Sequence, residues 1–133
     1  AHRNNKNSEL TVYGYTPMMV SVQCVQKTMD HCNHACVQYV LKDRYQKEFR
    51  GVCSCEFCYN TIYNTLPTSL LKEKEKAEKL GVKAYRLSFT TETQQETEKI
   101  VQAFVDVYLR GQKPDGQMQT EETTKGHFQR GVE

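Results

Sequence analysis

Six cysteines fall between residues 24 and 58 of a 133-residue chain, and none lies outside that window. Thiols this clustered constrain the fold more than any apolar pattern does, because they must be crosslinked, used for redox chemistry or gathered on a metal. They are Cys24, Cys32, Cys36, Cys53, Cys55 and Cys58, separated by 7, 3, 16, 1 and 2 residues. Cys32, Cys36, Cys55 and Cys58 form C-x3-C-x18-C-x2-C, near the spacing of a zinc ribbon. Two thiolates from one tight turn reach adjacent corners of a tetrahedron, and a second pair closes it. His31 and His34 are substitutes for one thiolate, although surface histidines are the commoner case. An iron–sulfur cluster also takes four thiolates, from loops of irregular spacing, and it brings in Cys24, which directly follows the apolar run MMVSVQ. A redox dithiol at Cys55 and Cys58 requires SCEFCYNTIYN to open a helix, and it leaves the other cysteines unused. Buried free thiols acting as small hydrophobes account for one or two of the six.

A disulfide framework is the weakest of these readings. Six cysteines are sparse for a small secreted scaffold of this length, and the opening AHRNNKNSEL has no apolar signal core. No apolar run approaches the roughly 18 to 20 residues that span a bilayer, so the segment reads as soluble and cytoplasmic, with no membrane partner. Lys and Arg number 18 against 16 Asp and Glu, which gives no general electrostatic grip on nucleic acid. Neither GxGxxG nor GxxxxGK[ST] occurs, so a glycine loop cradling phosphate is unsupported.

Residues 1–8 are polar and read as a linker or a cut end, with one domain, or part of one, from residue 9 to 133. SELTVYG and PMMVSVQC predict two short strands around a turn at Gly14 to Pro17. From Cys24 to Asn64 no period is visible, which predicts an irregular segment organised by a ligand. SLLKEKEKAEKLG predicts a helix with a solvated Lys and Glu face, capped by Gly81, and VKAYRLSFT predicts a strand. TTETQQ opens a second helix, with Thr91 and Gln94 fitting a capping box and Ile100, Val101, Phe104, Val105 and Tyr108 forming the apolar face up to Gly111. The order helix, strand, helix, with two strands upstream, points to an α/β unit on a parallel sheet, with a long C-terminal helix and a polar tail, TKGHFQRGVE. Tyr13, Tyr15, Tyr59 and Tyr63 have two readings, as core residues or as stacking platforms for single-stranded RNA. Asp43 and Arg44 read as an exposed ion pair or as a pair that orders the cysteine segment.

ELTVYGYTPMMVSVQC, with Glu9, Gly14, Ser21 and Cys24 at offsets of 5, 7 and 3, resembles the signature of the collagenase-like peptidase family U32. KDR at Lys42 to Arg44, CEFCYNTIYN, AYRLSFTTET and the terminal TKGHFQRGVE follow in the order of that family's core, so the likeness runs from about residue 8 to the end. Pro17 stands where many members have another cysteine. The resemblance implies the C-terminal portion of an α/β barrel core, a partial (β/α) barrel-like unit whose N-terminal part is its missing partner. It also implies a peptidase acting on protein or peptide. Other members imply a second activity, hydroxylation of tRNA uridine or of a quinone precursor, with a 4Fe–4S cluster. By resemblance Cys24, Cys32 and Cys58 are ligands, with Cys55 as the fourth and Cys53 and Cys36 as alternates. A zinc-stabilised binding module without catalysis is the third reading.

For hydrolysis, Ser21 or a cysteine is the candidate nucleophile and His127 the candidate base, but neither GxSxG nor HExxH is present. His127 and Arg130 together suit an anionic substrate group, since Arg offers a planar fork and His a proton.

Overall fold

The computed structural model describes residues 7–29, 32–114, 122–126 and 128. The chain forms two compact units, one from residues 1–14 and 66–133 and the other from residues 15–65. The architecture is mixed α/β with two separate sheets. No helix among the described residues is long and apolar enough to cross a membrane.

In the first unit, β1 (Glu9–Gly14) is the central strand of a three-stranded sheet. It pairs in parallel with β7 (Ala84–Ser88) and antiparallel with β6 (Thr68–Ser69). The parallel sheet that the order of elements predicted is met only in the β1 and β7 pair, because β6 runs antiparallel and makes the sheet mixed. A 3-10 turn at Leu71–Glu73 runs into α2 (Lys74–Lys79), and Gly81, with φ of 63°, ends it in the left-handed conformation expected of a cap. α3 (Gln94–Phe104) continues as a π-helical turn over Val105–Leu109.

Apolar side chains from β1, the 3-10 turn and the residue before it, α3 and the π-helical turn meet in one core: Val12, Tyr13, Leu70, Leu71, Phe104 and Val107 are all buried. Tyr13 stacks near Phe89 and edge-on to Phe104, with ring centroids 5.5 and 6.0 Å apart. The Tyr108 hydroxyl donates to the Leu70 carbonyl at 2.9 Å, tying the end of α3 to the entry of α2.

Three expectations are corrected in this unit. The capping box of α3 is Thr93 and Glu96, two residues beyond the expected pair: the Thr93 hydroxyl accepts the Glu96 N–H and the Glu96 carboxylate accepts the Thr93 N–H. The reason is Glu92, whose carboxylate accepts the N–H groups of Thr90 and Thr91 and the Tyr13 hydroxyl, holding that stretch as a loop. The apolar face is narrower than expected in α3 and includes a further residue in the π-helical turn: Val101 is more than a third exposed and Val107 is fully buried. Glu73 is also not on a solvated face. It is buried, and its carboxylate is shared by Lys76 at 2.8 Å and Lys125 at 2.5 Å. Lys125 arrives because Thr124 forms a bridge to Thr68, so part of the expected polar tail is docked on the sheet.

The second unit is a four-stranded antiparallel sheet in the order β2-β5-β4-β3, from β2 (Pro17–Ser21), β3 (Val37–Lys42), β4 (Glu48–Ser54) and β5 (Tyr59–Tyr63). A short helix, α1 (Val25–Met29), follows β2. The segment predicted to be irregular therefore carries three strands and a helix. The turn between β3 and β4 is built on Asp43, whose carboxylate accepts the N–H groups of Tyr45 at 2.7 Å and Lys47 at 2.9 Å. Asp43 thus orders the hairpin through backbone contacts, and the Arg44 guanidinium lies over the Tyr45 ring. Tyr13 and Tyr15 are buried, in agreement with the core reading of those two tyrosines.

Candidate metal centre

Side chains alternate across a strand, so β4 sends Gly51 and Cys53 to one face, and both are buried. Cys55, at the start of the following turn, is buried as well. Cross-strand pairing sets Tyr39 of β3 opposite Gly51, and Asn60 of β5 opposite Cys53. A Cβ on residue 51 would lie 2.2 Å from the Tyr39 ring, so the glycine is what lets the ring lie flat over the strand. Tyr39 in turn packs against the cluster formed by Cys24, Cys53 and Cys55.

Cys24 enters this cluster from the start of α1. Its carbonyl accepts the Thr28 N–H at 3.1 Å and the Thr28 hydroxyl at 3.0 Å, which fixes the first turn. The sulfur of Cys24 lies 3.5 Å from that of Cys53, and Cys53 lies 3.7 Å from Cys55. The environment of each thiol differs. Cys24 is held below the ordinary thiol range, first by the Lys27 backbone N–H and then by the Cys53 thiol, with the Gln26 N–H and Cys32 adding to the effect against burial. Cys53 is pushed up to about 12 by burial and by its two thiol neighbours. Cys55 is also raised, chiefly by burial. Of the three, Cys24 is therefore the member whose ionisation its surroundings favour, and Cys53 the one whose ionisation they oppose.

The remaining cysteines surround this trio unequally. Cys36 is exposed and donates its S–H to the Cys53 carbonyl at 2.9 Å. Cys32 is half-buried, 4.0 Å from the His34 ring, and close enough to Cys24 to influence it. Cys58 is exposed in the turn joining β4 to β5, at φ of 52°. Of the expected set, then, Cys24 and Cys55 come together with Cys32 near them, while Cys58 stands outside and Cys53, an alternate, sits at the centre. The C-x2-C turn does not place both sulfurs on one side. Nor does it open a helix, which removes the local basis for a redox dithiol at Cys55 and Cys58.

Among the described residues no group of three or more His, Cys, Asp and Glu side chains is arranged to hold a metal ion as it stands. The thiols are occupied with neighbours: Cys55 donates to the Ala35 carbonyl at 2.7 Å, and all six cysteines are free of disulfides. Two buried polar atoms in this region lack partners, the Tyr39 hydroxyl and Asn60 Oδ1. Asn60 Nδ2 donates to the Gln23 carbonyl, which orders the chain just before Cys24.

The Ser21 hydroxyl oxygen accepts the Gln23 N–H at 3.2 Å and closes a local turn. His31, His127 and Arg130 lie outside the described residues. Sequence reasoning missed Asn60 and Tyr39 as neighbours of the sulfurs; the signal available was their offset from Cys53 across the two hairpins, which needs the register to read. The chain has no match among protein-family models, curated proteins or solved structures.

Proposed function

We propose that this chain is the C-terminal part of a collagenase-like U32 peptidase-type protein, and that residues 15–65 form its cysteine-ligated metal module. The observation that carries the metal reading is the buried trio Cys24, Cys53 and Cys55, with sulfurs 3.5 and 3.7 Å apart and Cys32 at the edge. Three buried thiols gathered at one end of β4 exceed what packing needs, and the titration of one of them is lowered by the backbone N–H of Lys27 and by its thiol neighbour. Loading would require Cys53 to lose its proton and Cys55 to leave the Ala35 carbonyl. Free thiols in this number suit a reducing compartment such as the cytoplasm.

The resemblance makes the bound group a 4Fe–4S cluster, and the reaction either peptide hydrolysis or, as the alternative, hydroxylation of tRNA uridine. In such a cluster each cysteine ligates its own iron, so the sulfurs would have to part. A single tetrahedral zinc ion places its thiolates about 3.8 Å apart. The observed separations favour that second reading, a zinc-stabilised module. The parallel pairing of β1 with β7 supports a (β/α) barrel-like core completed by an N-terminal part.

Anaerobic purification followed by metal and sulfide analysis tests the proposal. Iron with sulfide and a brown chromophore supports the cluster, stoichiometric colourless zinc supports the single ion, and neither refutes the metal module. Digestion of gelatin and of a peptide, with a tRNA hydroxylation assay beside it, tests the two reactions.

A further inference from the structure

The Tyr39 hydroxyl is buried without a hydrogen-bond partner, in a side chain that packs on the thiol cluster. A buried, unmatched hydroxyl is costly, and most native structures avoid it. The position is nevertheless well defined. Gly51 leaves no Cβ where the Tyr39 ring lies, and the register pairs the two residues directly. Phenylalanine would fill the same space without the orphan, so packing alone does not explain the oxygen.

The chemistry of the neighbouring sulfurs offers an explanation. In the thiol form, the S–H groups and lone pairs of Cys24, Cys53 and Cys55 are directed at one another and at carbonyls. Deprotonation on metal binding removes the S–H donors and leaves charged sulfurs with lone pairs to spare. A phenol is a good donor to such a sulfur, and hydrogen bonds to a charged acceptor are the strong ones.

We propose that Tyr39 is a positioning residue for the metal-loaded module, donating its hydroxyl proton to a ligating thiolate once the centre is filled. The proposal rests on the reading that this unit binds a metal through Cys24, Cys53 and Cys55. It adds a role for a residue that ligates nothing, and outer hydrogen bonds of this kind fix ligand orientation.

The test is Tyr39→Phe in the full chain, measured in two states. Without metal, the variant unfolds at the same denaturant concentration as the parent or a higher one, because an unmatched hydroxyl has been removed. With zinc, measured by competition against a chromophoric chelator, the variant binds about tenfold more weakly. The opposite effects in the two states separate this role from simple packing. Equal zinc affinity in variant and parent overturns the proposal, as does a variant that loses stability equally with and without metal. If the parent itself takes up no zinc, the zinc reading beneath the proposal fails, and that result is distinct from an insensitive Tyr39→Phe.

Discussion

Cys53 is the residue on which the site turns. It is fully buried, lies between Cys24 and Cys55, and has its thiol held protonated by burial and by its neighbours. Cys36 and Cys58 are exposed, so the six thiols should separate kinetically. Timed alkylation of the metal-free native chain with iodoacetamide, followed by peptide mass mapping, is predicted to modify Cys36 and Cys58 first and Cys53 last. Labelling of Cys53 as fast as Cys58 would show that the cluster is open. The number and closeness of the cysteines were legible in the sequence. Which of them converge was not, because spacing within a turn says nothing of which sulfur faces inward; here Cys55 does and Cys58 does not.

At the scale of elements, α2, α3 and the β1, β2 and β7 strands were readable from period and turn signals. The rest of the antiparallel sheet, β3 to β5, and the short α1 were not. The inward positions of that sheet carry Gly51, Cys53 and Asn60, none of which signals a core, while Val40 on β3 is more than half exposed. The alternation of apolar and polar residues that marks a strand is thus broken in both directions. The start of α3 was placed two residues early for a different reason: Glu92 uses its carboxylate to hold the preceding loop. The two capping registers make opposite predictions. Thr93→Ala is predicted to lower stability by about 1 kcal/mol, and by more than Thr91→Ala does, as read from urea denaturation. The reverse order would restore the earlier register.

At the scale of the molecule, the chain is two units with different kinds of core. Residues 1–14 and 66–133 enclose aromatic and aliphatic side chains, and residues 15–65 enclose sulfur. In the first unit Glu73 joins distant parts of the sequence through Lys125 and also pairs with Lys76 one turn further on in α2. The Lys125 and Lys76 ammonium groups hold its carboxyl down, from the ordinary 4.5 to about 2. A depressed carboxylate pKa contributes stability that is complete above the unfolded value and is lost as pH falls through the folded one. The parent should therefore exceed Glu73→Gln in stability at pH 7, with the gap narrowing below about pH 4.5 and closing near pH 2. A gap that stays constant down to pH 2 would mean that the ion pairs contribute nothing through this carboxylate.

The metal module is tested most directly by metal content per chain after anaerobic purification, in the parent and in Cys53→Ser and Cys58→Ser. A centre built on the buried trio predicts stoichiometric metal in the parent and in Cys58→Ser, and its loss in Cys53→Ser. A parent without metal, or a centre that survives Cys53→Ser and is lost in Cys58→Ser, would contradict it.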